Sequence, residues 1–363
     1  MDLGAAGRIL LCLRWGIGDL VMETPLLQAL RAAAPRARIT ALGARPALEL
    51  LEADDRVDEL LAVQDWGLEH WGDLGSPVIR ARVDAWLAEQ CFDAVLDPSH
   101  AVAAVRDILW QRGGCLLDTG LRIQDDALRA DGGVAAIRRA AELGWGLRVP
   151  ADVAPALQFS AADLRNVEAF LADHGLAGDR LVAISPVASS ALKRWPPERL
   201  AQIADGLIRR GYRVLLLEGP QQECGRQVRQ AMQAPDAVLG IGSLPLRETA
   251  ALLARCAGFV GNDTGLMHLA AAVGTRVFAV FGPTSPEVYL PPEQQGMAPD
   301  VPCPHRHIRR FGPPDCLLID RCLLGLRSCI DAVDIAAVGD AVAKDLAGDL
   351  PNRTLSADLP VSP

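Results

Sequence analysis

The chain has 363 residues, enough for two domains that each bury a hydrophobic core. Hydrophobic residues make up 50% of it and charged residues 22%, a composition typical of globular proteins. A net charge of −9 argues against a broad nucleic-acid-binding surface, and no apolar stretch approaches the roughly 20 residues of a membrane span. Nine cysteines, several of them scattered in apolar surroundings, favour reduced thiols over a disulfide framework, and no signal peptide is visible. We therefore expect a cytoplasmic protein.

The N-terminal portion alternates between predicted strands and helices. Residues 8–13 form an apolar run, as expected for a strand that is buried on both faces. Thr24 and Pro25 predict the cap and the first position of a helix that ends before Pro35. Further strands are predicted at 38–42, 58–63 and 94–96, and helices at 46–52 and 78–90. Residues 111–160 give no clear pattern and lead to a predicted domain boundary.

A second α/β series starts with a predicted helix at 161–174. It continues with strands at 181–185, 212–217, 237–239 and 277–281, and helices at 197–210, 226–232, 246–256 and 332–346. The sequence thus predicts an α/β fold of two Rossmann-like, doubly wound domains, 1–160 and 161–346, that face a cleft. We expect the polar tail at 347–363 to be disordered.

A loop between an apolar strand and an Ala-rich helix is the most informative segment of this second series. Asp263 or Thr264 can cap the helix, and the N–H groups of its first turn, together with the helix dipole, attract phosphate. His268 lies one turn further on; it could donate to a phosphate or to Asp263, or be a structural histidine. The phosphate-binding candidates are Asp263, Thr264, Gly265, Leu266 and His268.

Glycines and an acid follow the first predicted strand. Gly16 and Gly18 suggest a dinucleotide-binding turn, but Val21 occupies the position of the third glycine. A nicotinamide site would also have an acid after the second strand, where Arg45 stands, so NADP binding is disfavoured without being excluded. What remains is Asp19, a carboxylate at a strand end where Gly18 lets a ligand approach closely. Asp19 can take a proton from an attacking hydroxyl, or it can cap the helix.

A basic loop follows the strand that ends near Ser185. Lys193 and Arg194 precede a Trp-Pro pair, and a cation at a sheet edge can neutralise a leaving diphosphate. A solvated basic loop is the alternative interpretation. Glu223, which follows a Gly-Pro turn after the next strand, could bind ribose hydroxyls or be a surface carboxylate.

Metal ligands are arranged irregularly in this sequence. The D-x-D pair of many sugar-nucleotide enzymes is missing, so charge neutralisation would rest on Lys193, Arg194 and backbone amides, with no metal or cofactor. The cysteine-rich segment at 303–329 has no C-x-x-C pair, which leaves both a zinc site and packed free thiols open. Its potential ligands are Cys303, His305, His307, Cys316, Cys322 and Cys329.

Together these segments resemble glycosyltransferase family 9, the heptosyltransferase-like enzymes of lipopolysaccharide core assembly. The matching pieces are R-x-x-x-G-D-x-x-x-x-x-P at 14–25, Ser-Pro at 185–186 with Lys-Arg-Trp-Pro at 193–196, residues 219–223, D-T-G-x-x-H within 262–271, and F-G-P-T at 281–284. The resemblance implies a GT-B fold, with the acceptor bound by the first domain and the nucleotide-sugar by the second. It also implies a metal-independent, inverting glycosyltransferase.

The resemblance also implies roles for individual residues. Asp19 would be the general base, Lys193 would contact the diphosphate and Glu223 the ribose, while 264–266 and His268 would hold the phosphates. The partners would be an ADP-heptose-like donor and a glycan or lipid-linked glycan acceptor. An acceptor in the inner membrane would bring the protein into peripheral contact with that membrane. The candidate contact is the basic cluster Arg306, Arg309 and Arg310, which could equally be a solvated loop.

One position departs from the family pattern. Val187 stands where the family usually has a glycine after Pro186, and the larger side chain narrows access to the backbone. A sugar-nucleotide-binding protein of a glycan assembly system that has lost transfer activity is therefore an alternative function. An NADP-dependent oxidoreductase is a third.

Overall fold

The computed structural model describes most of the chain and resolves it into two compact units. The described residues are 3–14, 16–67, 76–97, 116–118, 133–219, 223–242, 244–305 and 314–347. The two units, the N-terminal unit and the C-terminal unit, divide between Gln158 and Phe159. None of the helices in these ranges is long and apolar enough to cross a membrane. His307, the basic cluster at 306–310 and the tail from 348 onwards lie outside the described residues.

The N-terminal unit contains a parallel sheet with helices on its faces. Its strands are β1 Arg8–Cys12, β2 Arg38–Gly43, β3 Glu59–Ala62, β4 Ala94–Asp97 and β5 Leu116–Asp118. Its described helices are α1 Ile17–Ala33, α2 Pro77–Gln90 and α3 Gly133–Trp145, with short 3-10 turns at Leu3–Ala5, Ala47–Leu51 and Val63–Trp66. The strand order β3-β2-β1-β4-β5, parallel throughout, is that of a doubly wound sheet with its switch point between β1 and β4.

Helix α1 begins earlier than Thr24 and Pro25 predict. It starts at Ile17 and carries Pro25 in its interior. A proline has no N–H to donate to the carbonyl four residues before it, here that of Val21. The Thr24 hydroxyl donates to this same carbonyl at 2.8 Å and so replaces the missing bond. The prediction that Thr24 caps the helix and Pro25 is its first residue was therefore wrong, and Asp19 lies in the first turn of α1.

The C-terminal unit repeats the same architecture and, in the described residues, has one more strand. Its strands are β6 Leu181–Ser185, β7 Arg213–Leu217, β8 Val238–Ile241, β9 Gly258–Asn262, β10 Arg276–Val280 and β11 Gln295–Met297. Its described helices are α4 Ala161–Asp173, α5 Pro197–Arg209, α6 Glu223–Ala231, α7 Leu246–Arg255, α8 Gly265–Ala272, α9 Pro286–Tyr289, α10 Asp315–Leu318 and α11 Ile335–Leu346, with 3-10 turns at Ala191–Lys193, Pro235–Ala237 and Cys329–Ala332.

The strand order in this unit is β11-β10-β9-β6-β7-β8, again with every pair parallel. The switch point lies between β6 and β9, and ligands of open α/β sheets bind outside the carboxyl ends of the strands at such a point. Apolar side chains of β6, β7, β9 and β10 pack against those of α5 and α11 to form the core. The predicted α/β class with two Rossmann-like sheets is confirmed.

Candidate functional site

The buried amide of Asn262 connects the two loops at the switch point of the C-terminal unit. Asn262 is the last residue of β9 and is fully buried. Its Oδ1 accepts from the backbone N–H of Trp195 at 3.0 Å, and its Nδ2 donates to the carbonyl of Pro186 at 3.0 Å and, more weakly, to that of Val187 at 3.4 Å. One side chain therefore fixes the chain just after β6 and again just after Lys193. Sequence reasoning did not single out Asn262, although it lies within the segment that resembles family 9.

A buried ion pair lies next to this amide. The Nζ of Lys193 is 2.8 Å from Oδ2 of Asp263, and Thr284 Oγ1 donates to the same oxygen at 2.6 Å. Asp263 is 6% exposed and Lys193 15% exposed at their side chains, so both groups are largely removed from water. Since an ammonium carries three donors, this contact orients Lys193 without using up its capacity to bind a diphosphate oxygen. The structure thus brings Lys193 and Asp263 together and adds Thr284.

The loop at 263–266 leads directly into helix α8. Thr264 has the N-cap position, but its side chain makes no capping hydrogen bond, and the Asp263 carboxylate binds Lys193 and Thr284 instead. The prediction that one of these two side chains caps the helix was therefore wrong. The first-turn N–H groups of Gly265 and Leu266 have no acceptor within the helix, so the positive end of the helix stays suited to an anion.

Two buried hydroxyls lie at the ends of the neighbouring strands β6 and β9. Within the described part of the chain, neither Ser185 Oγ nor Thr264 Oγ1 has a hydrogen-bond partner. Buried hydroxyls are normally hydrogen-bonded, so these two, which have no partner, can each form a hydrogen bond with a ligand. His268, on α8, is also buried.

The remaining sequence candidates of this unit have partners nearby. The Arg194 guanidinium donates to the carbonyl of Ala188 at 3.1 and 3.2 Å, which braces the basic loop. Glu223 is the first residue of α6 and is exposed. Its hydrogen bonds to Arg226, the nearest at 2.7 Å, lower the pKa of its carboxyl. At this position Glu223 interacts with its own helix.

In the N-terminal unit, Asp19 lies in the first turn of α1 with its side chain 39% exposed. Its Oδ1 is 2.6 Å from Nη1 of Arg14, which comes from the loop after β1. A Cβ added at Gly16 would lie 2.5 Å from Oδ2 of Asp19, so the carboxylate occupies space that only glycine leaves open. Gly18 is half-buried in the same turn.

A second acid, Glu23, shares Arg14 with Asp19. Its Oε1 accepts from Arg14 Nε at 2.8 Å and its Oε2 from the Arg14 backbone N–H at 3.0 Å. The Glu23 side chain is fully buried, and loss of hydration raises its pKa to about 7, against the opposing effect of Arg14. Sequence reasoning missed Glu23, although its position four residues after Asp19 puts both acids on one helical face.

The cysteine-rich segment encloses a small cavity of about 20 Å³. Five potential ligands contribute to its lining: Cys303, His305, Cys316, Cys322 and Cys329. Burial raises the pKa of the Cys316 thiol. In the parts of the chain that the structure describes, no three His, Cys, Asp or Glu side chains are arranged to hold a metal ion.

Comparison with known proteins supports the resemblance found in the sequence. The model of glycosyltransferase family 9 (heptosyltransferase) matches residues 129–301. The chain is 29% identical over 294 residues to lipooligosaccharide heptosyltransferase 2 of Haemophilus influenzae, covering 76% of this chain and 83% of that protein. It is 29% identical over 299 residues to lipopolysaccharide heptosyltransferase 2 of Salmonella typhimurium, covering 76% and 82%. Among solved structures, the fold is similar to that of E. coli ADP-heptose lipopolysaccharide heptosyltransferase II, with a TM-score of 0.69, 23% identity, and 94% and 98% of the two chains covered.

Proposed function

We propose that the chain, which matches the model of glycosyltransferase family 9 over residues 129–301, transfers a heptose-type sugar from an ADP-linked donor to a hydroxyl of a lipopolysaccharide-core acceptor. The names of its relatives in Haemophilus influenzae and Salmonella typhimurium support the acceptor class, and the similar E. coli structure is that of an ADP-heptose enzyme. The observation that carries the proposal is the buried Lys193–Asp263–Thr284 cluster beside the uncapped start of α8. These groups suit a leaving diphosphate.

The C-terminal unit would stabilise the leaving group. As the bond from the anomeric carbon to the diphosphate breaks, negative charge grows on the diphosphate oxygens. Lys193 and the N–H groups at 264–266 can receive that charge in a place shielded from water, where such contacts are strongest. We propose that Lys193 and these amides neutralise the charge of the leaving diphosphate, so that the reaction is independent of a metal ion.

The N-terminal unit would supply the base. We propose that Asp19 accepts the proton of the acceptor hydroxyl while the hydroxyl oxygen attacks the anomeric carbon. A single displacement of this kind forms the new glycosidic bond on the face opposite the leaving diphosphate and so inverts the anomeric configuration. Ser185, Thr264 and His268 would contribute further polar contacts to the donor, and Glu223 would bind its ribose.

We propose that the protein works in the cytoplasm. A lipid-linked core acceptor would bring it to the inner membrane as a peripheral protein. Two of the relatives are named as enzymes of lipopolysaccharide or lipooligosaccharide, which supports this acceptor class. Flotation with liposomes that contain or lack the acceptor lipid would test the contact: co-flotation only in the presence of the acceptor is the expected result.

The test of the proposed function is an ADP-release assay with ADP-heptose and a core acceptor that lacks the heptose. Asp19→Asn should lower kcat by about 10²- to 10⁴-fold, the usual contribution of a general base, and leave ADP affinity nearly unchanged. Lys193→Ala should weaken ADP binding and lower kcat together. Lys344→Ala is the matched control, because Lys344 is an exposed lysine in the last turn of α11.

Three results would contradict the proposal in different ways. Normal turnover by Asp19→Asn would remove Asp19 as the base. Unchanged ADP affinity and kcat in Lys193→Ala would remove Lys193 from the diphosphate site. Donor binding without any transfer by the unmodified protein would favour the sugar-nucleotide-binding alternative. A thermal-shift screen against ADP-, GDP-, UDP- and dTDP-sugars would identify the donor base, since a ligand that binds only the folded state stabilises it.

A further inference from the structure

A single guanidinium lies between two carboxylates at the start of α1. Arg14 contacts Asp19 through Nη1 at 2.6 Å and Glu23 through Nε at 2.8 Å. The Arg14 backbone N–H also donates to Glu23, so both the main chain and the side chain of Arg14 are fixed by the same buried acid. Glu23 is thus the anchor of the group, and Asp19 is its partly exposed end.

The second carboxylate of this group offsets the positive charge of the guanidinium. A guanidinium next to a carboxylate stabilises the ionised form and thereby opposes the uptake of a proton. A guanidinium that holds a general base in position therefore also works against the proton transfer that the base performs. A second carboxylate on the other side of the guanidinium offsets its charge and keeps its orienting contact.

We propose that Glu23 is a positioning residue for the transfer reaction: through Arg14 it holds Asp19 in place and offsets the charge of the guanidinium that Asp19 contacts. The inference rests on the proposed role of Asp19. Glu23 is buried and acts through Arg14, so it needs no contact with either substrate.

Among the residues that the structure describes, two charged groups act directly on the Glu23 carboxyl. Arg14, from the loop after β1, and Asp19, from its own helix, are the charged groups that act on its carboxyl. On α3, Arg138 donates to the carbonyl of Val153, and Glu142 pairs with Arg148 at 4.0 Å. The charged side chains on the described elements that pack against α1 are Arg138, Arg139 and Glu142 on α3 and Glu49 on the Ala47–Leu51 turn.

The state of Glu23 should change within the working pH range. Burial raises its pKa to about 7, so it loses its proton as the pH rises through neutrality. Below that pH Glu23 is neutral, and the charge of Arg14 is shared with Asp19 alone. We therefore expect kcat to rise as the pH increases through about 7.

Glu23→Gln tests the inference because it keeps the size of the side chain and one acceptor oxygen but removes the charge. With ADP-heptose and the core acceptor at pH 8, kcat should fall about tenfold, an effect of the size expected between charges a few ångströms apart. The KM for the donor should change less than about twofold, and the rise of kcat near pH 7 should disappear. Glu49→Gln, a half-buried acid of the same unit, is the matched control and should keep the unmodified profile.

A double-mutant cycle with Arg14→Gln separates this role from a general structural one. If Glu23 acts through Arg14, adding Glu23→Gln to Arg14→Gln should change kcat less than about twofold. Independent, multiplying effects would overturn the inference, as would a Glu23→Gln variant with the unmodified kcat and pH profile. Measuring Asp19→Asn in the same assay separates a failure of the proposed base from a failure of the proposed role of Glu23. Normal turnover by that variant defeats the base assignment itself, whereas an inactive Asp19→Asn with a normal Glu23→Gln defeats only the role of Glu23.

Discussion

Replacing Glu23 by glutamine should make the protein more stable above neutral pH, although it should make the enzyme slower. The folded protein holds the Glu23 proton more tightly than the unfolded chain does, because burial raises the pKa from 4.5 to about 7. Between these two values the unfolded chain releases the proton while the folded protein keeps it. The free energy of unfolding therefore falls as the pH rises from about 4.5 to about 7 and stays at the lower level above that range.

The size of the effect follows from the two pKa values. At about 1.4 kcal/mol for each tenfold change in proton affinity, the rise from 4.5 to about 7 corresponds to about 3 kcal/mol. Glu23 is fully buried, so solvent does not screen this energy. The glutamine side chain of the Glu23→Gln variant is uncharged at every pH, as the protonated acid is, and would escape this pH-dependent loss of stability.

Urea unfolding at pH 5 and at pH 8 measures the difference directly. The two proteins should agree within about 1 kcal/mol at pH 5, and the Glu23→Gln variant should be more stable by about 3 kcal/mol at pH 8. Glu49→Gln serves again as the control and should show no such dependence on pH. An equal difference at both pH values, or a Glu23→Gln variant that is less stable at pH 8, would refute the reasoning.

Two further predictions concern the C-terminal unit. Asn262→Ala leaves buried backbone groups unpaired on both sides of the switch point, so we expect it to lower the free energy of unfolding by about 2–3 kcal/mol in urea titrations. It should also reduce kcat in the ADP-release assay, because the chain beside Lys193 loses its fixed position; an unchanged kcat would contradict this. Gly225→Ala would drive a Cβ into the side chain of the buried Glu218 and should destabilise the protein by about 2 kcal/mol. Gly206→Ala, whose Cβ would meet only the flexible ends of Arg210 and Arg209 at 3.5 and 3.8 Å, should be neutral or stabilising. Equal unfolding midpoints for the two alanine variants would be the contrary result.

The sequence predicted the C-terminal unit well because local signals there agree with one another. The run at 181–185 is apolar and bounded by polar turns, and the observed strand has the same bounds. Helices at 197–209 and 246–255 differ from the prediction by one residue at the end, where helices commonly fray. Helix α6 begins at Glu223, three residues before the predicted start at 226, so Glu223 belongs to the helix and not to the turn before it.

The N-terminal unit was predicted less completely because the segment at 111–160, which contains two of its described elements, has no assignment from the sequence. Strand β5 has only three residues, and α3 follows it within the segment at 111–160 that gave no clear signal. Helix α1 was placed too late because proline is a strong marker of a helix start. The helix accommodates Pro25 in its interior with a hydrogen bond from the Thr24 hydroxyl to the Val21 carbonyl, a contact that the one-dimensional sequence does not reveal.

The side-chain roles at the sites depend on contacts between distant residues. Asp263 looked like a helix cap because it precedes α8, but it binds Thr284 and Lys193, both of which are far from it in the sequence. Such partners cannot be found from local spacing, and they change the role of the residue. Asp19 lies in the first turn of α1 and not at the end of β1, and its connection to Glu23 through Arg14 emerges only in the folded chain.

Both units bury charge immediately after a central strand of the sheet, and this placement has a cost. Taking ions out of water destabilises a fold unless they are well paired, and apolar packing at the same positions would serve stability as well or better. The two clusters differ in net charge in a way that stability does not require. Lys193 and Asp263 together are neutral and lie beside the positive end of α8, which suits a diphosphate, whereas Asp19, Arg14 and an ionised Glu23 together carry one negative charge, which suits a departing proton. The proposed role in transfer would account for both the location and the different net charge of these clusters, which stability alone does not require.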